Sequence, residues 1–138
     1  MNGKDIADLF IEAVGKIEFY WNFYTVTLLA LIGWLAGGQR SLGRRLRWFV
    51  TVGFAAFATM NMLGLWGSYE FAEALRNDLL RSPETIGLPN ARKLLATRNF
   101  LDQRAFGMAI HVVIDGFAVL VIWQVRSENR NAAKNRVV

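Results

Sequence analysis

Three apolar runs, 17–36, 48–66 and 105–125, each match the roughly 20 residues that a helix needs to cross the hydrocarbon of a bilayer. Lipid offers a backbone N–H or C=O no partner, so each run has to close its hydrogen bonds internally. Their Leu, Ala, Phe, Val and Gly do not alternate with polar residues as barrel strands do. The chain therefore reads as all-α: an integral membrane protein with three transmembrane helices, an N-terminal amphipathic helix and a short helical outer loop. With 138 residues it forms a single membrane domain.

Composition narrows the chemistry. The chain has no cysteine, which excludes disulfides, thiolate metal sites, c-type haem attachment and a cysteine nucleophile. The formal charge is +5 and the pI about 10.1, but the basic residues stand mainly beside the apolar runs. Membrane topology and anionic headgroups account for them there, and no nucleic-acid partner is expected.

Residues 1–16 place Ile6, Leu9, Phe10, Ala13 and Val14 on one helical face and Asp5, Asp8, Glu12 and Lys16 on the other. This predicts an amphipathic helix at the membrane interface, which either bends at Gly15 or runs straight into the first span. The segment is acidic and its apolar run too long for a secretory signal, so no cleavage is expected. The loop 37–47 carries Arg40, Arg44, Arg45 and Arg47 without an acidic residue, and the tail 126–138 carries Arg126, Arg130, Lys134 and Arg136 against Glu128. Both counts put these segments in the cytoplasm, giving a multi-pass cell-membrane protein with its N-terminus outside and its C-terminus inside.

Tyr20, Trp21, Trp66 and Tyr69 are expected at the outer interface, and Trp34, Trp48 and Trp123 at the inner one, as an anchoring belt. In the outer segment 67–104, Phe71, Leu75 and Leu79 recur at helical spacing against Glu70, Glu73, Arg76 and Asp78. Ser82-Pro83-Glu84 and Gly87-Leu88-Pro89-Asn90 break that helix, and Asn90 is the expected cap of another that runs toward the third span.

The only histidine, His111, lies in the third run with Asp115 four residues later, so the two share a helix face that Gly107 and Ala118 extend. At ~1.5 Å per residue Asp115 lies about 15 Å past Ala105, near mid-bilayer. A charge at that depth costs at least ~2.5 kcal/mol, so the pair should face protein, water or a partner. Asn61 and Thr59 of the second span and Asn22 of the first lie at comparable depth and are expected to complete a polar cluster. Two roles fit: a proton or small-ion path, or interhelical glue that sets register and partner choice.

With one histidine and no Glu-x2-His pair, neither a metal site nor a cofactor is expected, and no serine has a base at recognisable spacing, which argues against an enzyme. Gly33, Gly37 and Gly107 are candidate helix-packing positions. Because three helices barely enclose a central carboxylate, the expected partners are the lipid bilayer and either a second copy of the chain or a larger membrane protein.

Overall fold

The computed structural model describes residues 3–37, 42–82 and 88–124. Among them are four helices and no strand: α1 (Gly3–Gly37), α2 (Arg44–Arg81), α3 (Pro89–Thr97) and α4 (Phe100–Gln124). Three helical stretches, α1, α2 and the one ending in α4, are long and apolar enough to cross a membrane, which makes this a multi-pass α-helical membrane protein. Arg40, the break at 83–87 and the tail 126–138 lie outside the described residues.

α1 has 35 residues and α2 has 38, each well beyond what a bilayer requires. At ~1.5 Å per residue, α1 before its apolar run and α2 after its own each extend about 20 Å past the hydrocarbon on the same side. Residues 3–16 form the start of α1, and their apolar face turns toward the bundle. Ile6, Leu9, Phe10, Ala13, Val14 and Ile17 pack against Leu65, Tyr69, Ala72 and Leu75 of α2 and Phe100 of α4, and the helix runs unbroken through Gly15.

α2 is the central helix, in contact with α1, α3 and α4, and α1 also reaches α4 through side chains, from Phe10 against Phe100 to Tyr24 on Asp115. Its buried residues Phe54, Ala58, Asn61, Leu65, Ser68, Ala72, Leu75 and Leu79 alternate three and four apart. That is the seam of a helix that keeps one face against neighbours over many turns. Beyond the apolar run the seam admits Glu73 and leaves Phe71 45% exposed, the reverse of their expected sides.

The reason for Glu73 is a set of donors. Its carboxylate accepts Arg76 Nη2 at 2.6 Å and Nε at 3.0 Å, and the backbone N–H of Phe100 at 3.3 Å. Arg76 Nη1 donates to the Leu95 carbonyl at 3.0 Å. One ion pair thus closes the free carbonyl end of α3 and the free N–H end of α4 against α2. The guanidinium beside Glu73 holds its carboxyl below the usual carboxylate range.

Pro89 starts α3 at a position where its missing N–H costs nothing, and the residue before it, Leu88, takes the cap place expected for Asn90. The cap of α4 is Asn99, whose Oδ1 accepts the N–H groups of Leu101 at 3.0 Å and Asp102 at 3.2 Å.

Candidate functional site

The core is two apolar clusters with a polar layer between them. One is the Ala13–Ile17–Leu65–Tyr69–Phe100 cluster; the other joins Phe54, Ala58 and Ala118 with Leu28, Leu31, Phe57 and Val119. Between them all three long helices bring polar groups together.

His111 is fully buried and bonded through both ring nitrogens: Nδ1 lies 2.8 Å from Asp115 Oδ2, and Nε2 lies 3.2 Å from Asn61 Oδ1. The other Asp115 oxygen accepts the Tyr24 hydroxyl at 2.8 Å. Asn61 Nδ2 donates to the Tyr20 carbonyl at 3.1 Å. A carbonyl can only accept, which fixes the Asn61 amide with its oxygen toward the imidazole, and Nε2 must therefore carry a proton. The Nδ1···Oδ2 contact holds one further proton, on either side. In both arrangements the His111–Asp115 pair has no net charge, which suits a layer enclosed by apolar side chains.

The aromatic surround is close. The Tyr24 ring lies 3.9 Å from the imidazole, centroid to centroid, and Trp21 lies 5.9 Å away. Trp21 Nε1 donates to the Tyr69 hydroxyl at 3.2 Å, so this tryptophan helps build the buried layer; the belt positions Trp34, Trp48 and Trp66 are exposed. Aromatic rings fill the space left by two glycines. A Cβ on Gly64 would sit 2.5 Å from the Tyr20 ring, and one on Gly107 would sit 3.2 Å from Trp21.

Of the residues expected in the cluster, His111, Asp115 and Asn61 meet. Thr59 and Asn22 do not: both are exposed, and the Thr59 hydroxyl donates to its own helix at the Ala55 carbonyl. Each stands two residues from a position that does reach the layer, Asn61 for Thr59 and Tyr20 or Tyr24 for Asn22. Two residues along a helix is a turn of about 200°, so neighbours at nearly the same height face opposite sides. Tyr24 is the member that depth alone does not single out, although its spacing from Ala13, Ile17 and Tyr20 puts it on the buried stripe.

Gly107 packs as expected, against Trp21. Gly33 and Gly37 are exposed, with open space among the described residues where a Cβ would stand. Arg44 and Arg45 are exposed as a headgroup role requires, whereas Arg47 is buried to 1% exposure. Its position on the helix turns it inward, and its Nε donates to the Leu42 carbonyl at 3.1 Å.

The bundle thus defines a multi-pass α-helical membrane protein with a buried Tyr–Asp–His–Asn layer. Comparison with protein-family models, curated proteins and solved structures returns no match.

Proposed function

We propose that this chain is a structural or accessory membrane subunit, oriented with its N-terminus outside and C-terminus cytoplasmic in the cell membrane. Its polar layer fixes the three helices in one register, so that their outer faces meet lipid and either a second copy or a larger membrane protein. The observation that carries this reading is closure. Each of the polar side chains in the layer is bonded within the bundle, and the chain of bonds ends at the Tyr20 backbone carbonyl, which has no proton to pass. On the far side of Asp115 the Phe54–Ala58–Ala118 cluster is apolar. Satisfied networks of this kind favour a single packing arrangement more than they add stability.

One observation favours a second reading, proton or small-ion movement: the Asp115 side chain keeps 22% of its surface exposed and shares a proton with His111. Protons entering there require an exit other than Asn61, which an assembly of copies around Asp115 would have to supply. Proton flux in proteoliposomes separates the two. The structural reading gives no flux above empty vesicles for wild type or Asp115→Asn. Flux from wild type that Asp115→Asn abolishes, with equal assembly by size, establishes the transport reading instead.

A further inference from the structure

α1 carries a second stripe, on the side that faces away from the bundle. Tyr20 and Tyr24 turn inward, to Gly64 and to Asp115. Asn22 stands two residues from each and so points about 200° away from both. Gly15, Glu18, Asn22, Val26, Leu29 and Gly33 follow one another three or four apart and are all exposed. On an ideal helix they fall within about 80° of one another. Gly15 and Gly33 have open space among the described residues where a Cβ would stand.

This stripe holds a group that lipid cannot satisfy. Asn22 lies inside the apolar run, about 8 Å from its start at Ile17 at ~1.5 Å per residue. Its side-chain amide has no hydrogen-bond partner among the described residues. The polar side chains around it are satisfied. Thr25, Thr27 and Thr59 donate to the carbonyl four residues back, and Tyr24, Asn61, His111 and Asp115 bond one another. Left unpaired in hydrocarbon, an amide costs more than a bond to it returns, so Asn22 requires a neighbour with a donor and an acceptor at its own depth. A second copy in the same membrane has both. A two-fold axis beside α1 sets the two amides opposite each other at one height, where each N–H donates to the other's oxygen.

We propose that a second copy of this chain docks on the outward face of α1, with Asn22 paired across the axis and Gly15 and Gly33 letting the two backbones approach on either side of it. Glu18 stands at the outer rim of the run and meets its own copy there as a like charge, which weakens the contact. The proposal rests on the reading of the chain as a subunit whose outer faces meet partners, and it names the face and the occupant. Asp115 lies across α1 from this axis, on the Tyr24 side, so the dimer does not supply the exit that proton movement requires.

The test is sedimentation equilibrium of the full chain in an uncharged, density-matched detergent. A reversible dimer is expected. Asn22→Leu should raise its dissociation constant about tenfold, as for loss of a pair of interhelical hydrogen bonds. Gly33→Leu should raise it at least as far, by holding the backbones apart. Neither change touches a packed residue of the bundle, so neither should lower the unfolding midpoint of the monomer. Glu18→Gln should tighten the dimer, and Leu63→Ala, on an exposed position of α2, should leave it unchanged. A monomer at every protein-to-detergent ratio, or a dimer as tight in Asn22→Leu and Gly33→Leu as in wild type, overturns the proposal. A complex formed only with another membrane protein also overturns it and leaves the subunit reading standing; that reading falls instead to proton flux in proteoliposomes.

Discussion

Asn61 turns its side-chain oxygen toward His111 Nε2, 3.2 Å away, because its amide nitrogen is committed to the Tyr20 carbonyl. One amide on the central helix thereby dictates the protonation of a ring on α4 through a bond to α1. Asn61 also occupies a position on the otherwise apolar seam of α2, where a polar residue specifies register.

Replacing Asn61 by Leu should leave the buried Nε2–H without an acceptor. We expect a loss of about 1–3 kcal/mol, measured by reversible unfolding in mixed micelles. Asn61→Gln, which keeps the groups but not their reach, should recover part of it. A Leu variant as stable as wild type would mean that the imidazole finds another partner.

The Tyr20–Gly64 approach predicts a steric dependence. Gly64→Ala drives a methyl group toward a ring 2.5 Å away, so the ring must swing off the helix, costing about 1–3 kcal/mol. Tyr20→Ala should then cost less in the Gly64→Ala background than in wild type, by a double-mutant cycle. Equal costs in both backgrounds would show that the two residues are not in contact.

The Glu73–Arg76 clamp predicts an acid limb. Because the folded-state pKa of Glu73 lies below its unfolded value, the clamp contributes fully above the ordinary carboxylate range and is lost as pH falls through the folded value. Unfolding midpoints should therefore drop below about pH 4.3, the ordinary glutamate pKa. Glu73→Gln should be less stable at neutral pH and lose less on acidification. An acid limb of undiminished depth in Glu73→Gln would assign it to other carboxylates.

The cap at Asn99 makes a smaller prediction. Asn99→Ala leaves the Leu101 and Asp102 amides uncapped and should cost about 1 kcal/mol. Asn99→Asp keeps the cap acceptor but loses the donor to Asp102 Oδ2, 2.7 Å away, and sets two carboxylates together, so it should recover only part of that loss. Amide hydrogen exchange at the first turn of α4 is the local readout.

What the sequence made legible follows from what hydropathy and spacing measure. Run length alone gives the three spans, and the four-residue spacing of His111 and Asp115 gives their shared face together with Gly107 and Ala118. Depth below Trp66 matches Asn61 to His111. Depth does not give azimuth, which is why Thr59 and Asn22 look equivalent to residues about 200° away on the same helices. Nor does a polar residue beyond an apolar run reveal whether it faces water. Glu73 and Arg76 read as a solvated face until α3 and the start of α4 bring a carbonyl and an amide to meet them. Phe71, apolar and exposed, is the other side of that reversal.

Arg47 and the glycine pair carry the same lesson at the basic end. Arg40, Arg44, Arg45 and Arg47 are one cluster by count, yet position on the helix separates the exposed Arg44 and Arg45 from the buried Arg47. Gly33 and Gly37 have the spacing of a packing motif and face no helix among the described residues, since the stripe that α1 buries runs through Tyr24 and Leu35 instead.

His111 joins α1, α2 and α4 into one cooperative layer, and the energetic coupling between Asn61 and Asp115 measures this most directly. The two residues each bond a different nitrogen of the His111 ring. In a double-mutant cycle of Asn61→Ala and Asp115→Ala, followed by reversible unfolding, the joint loss should fall short of the sum of the single losses by about 0.5–1 kcal/mol. The shortfall should vanish when His111 is also replaced by Ala. Additivity within about 0.3 kcal/mol in the presence of His111 would mean that the ring does not couple the two residues.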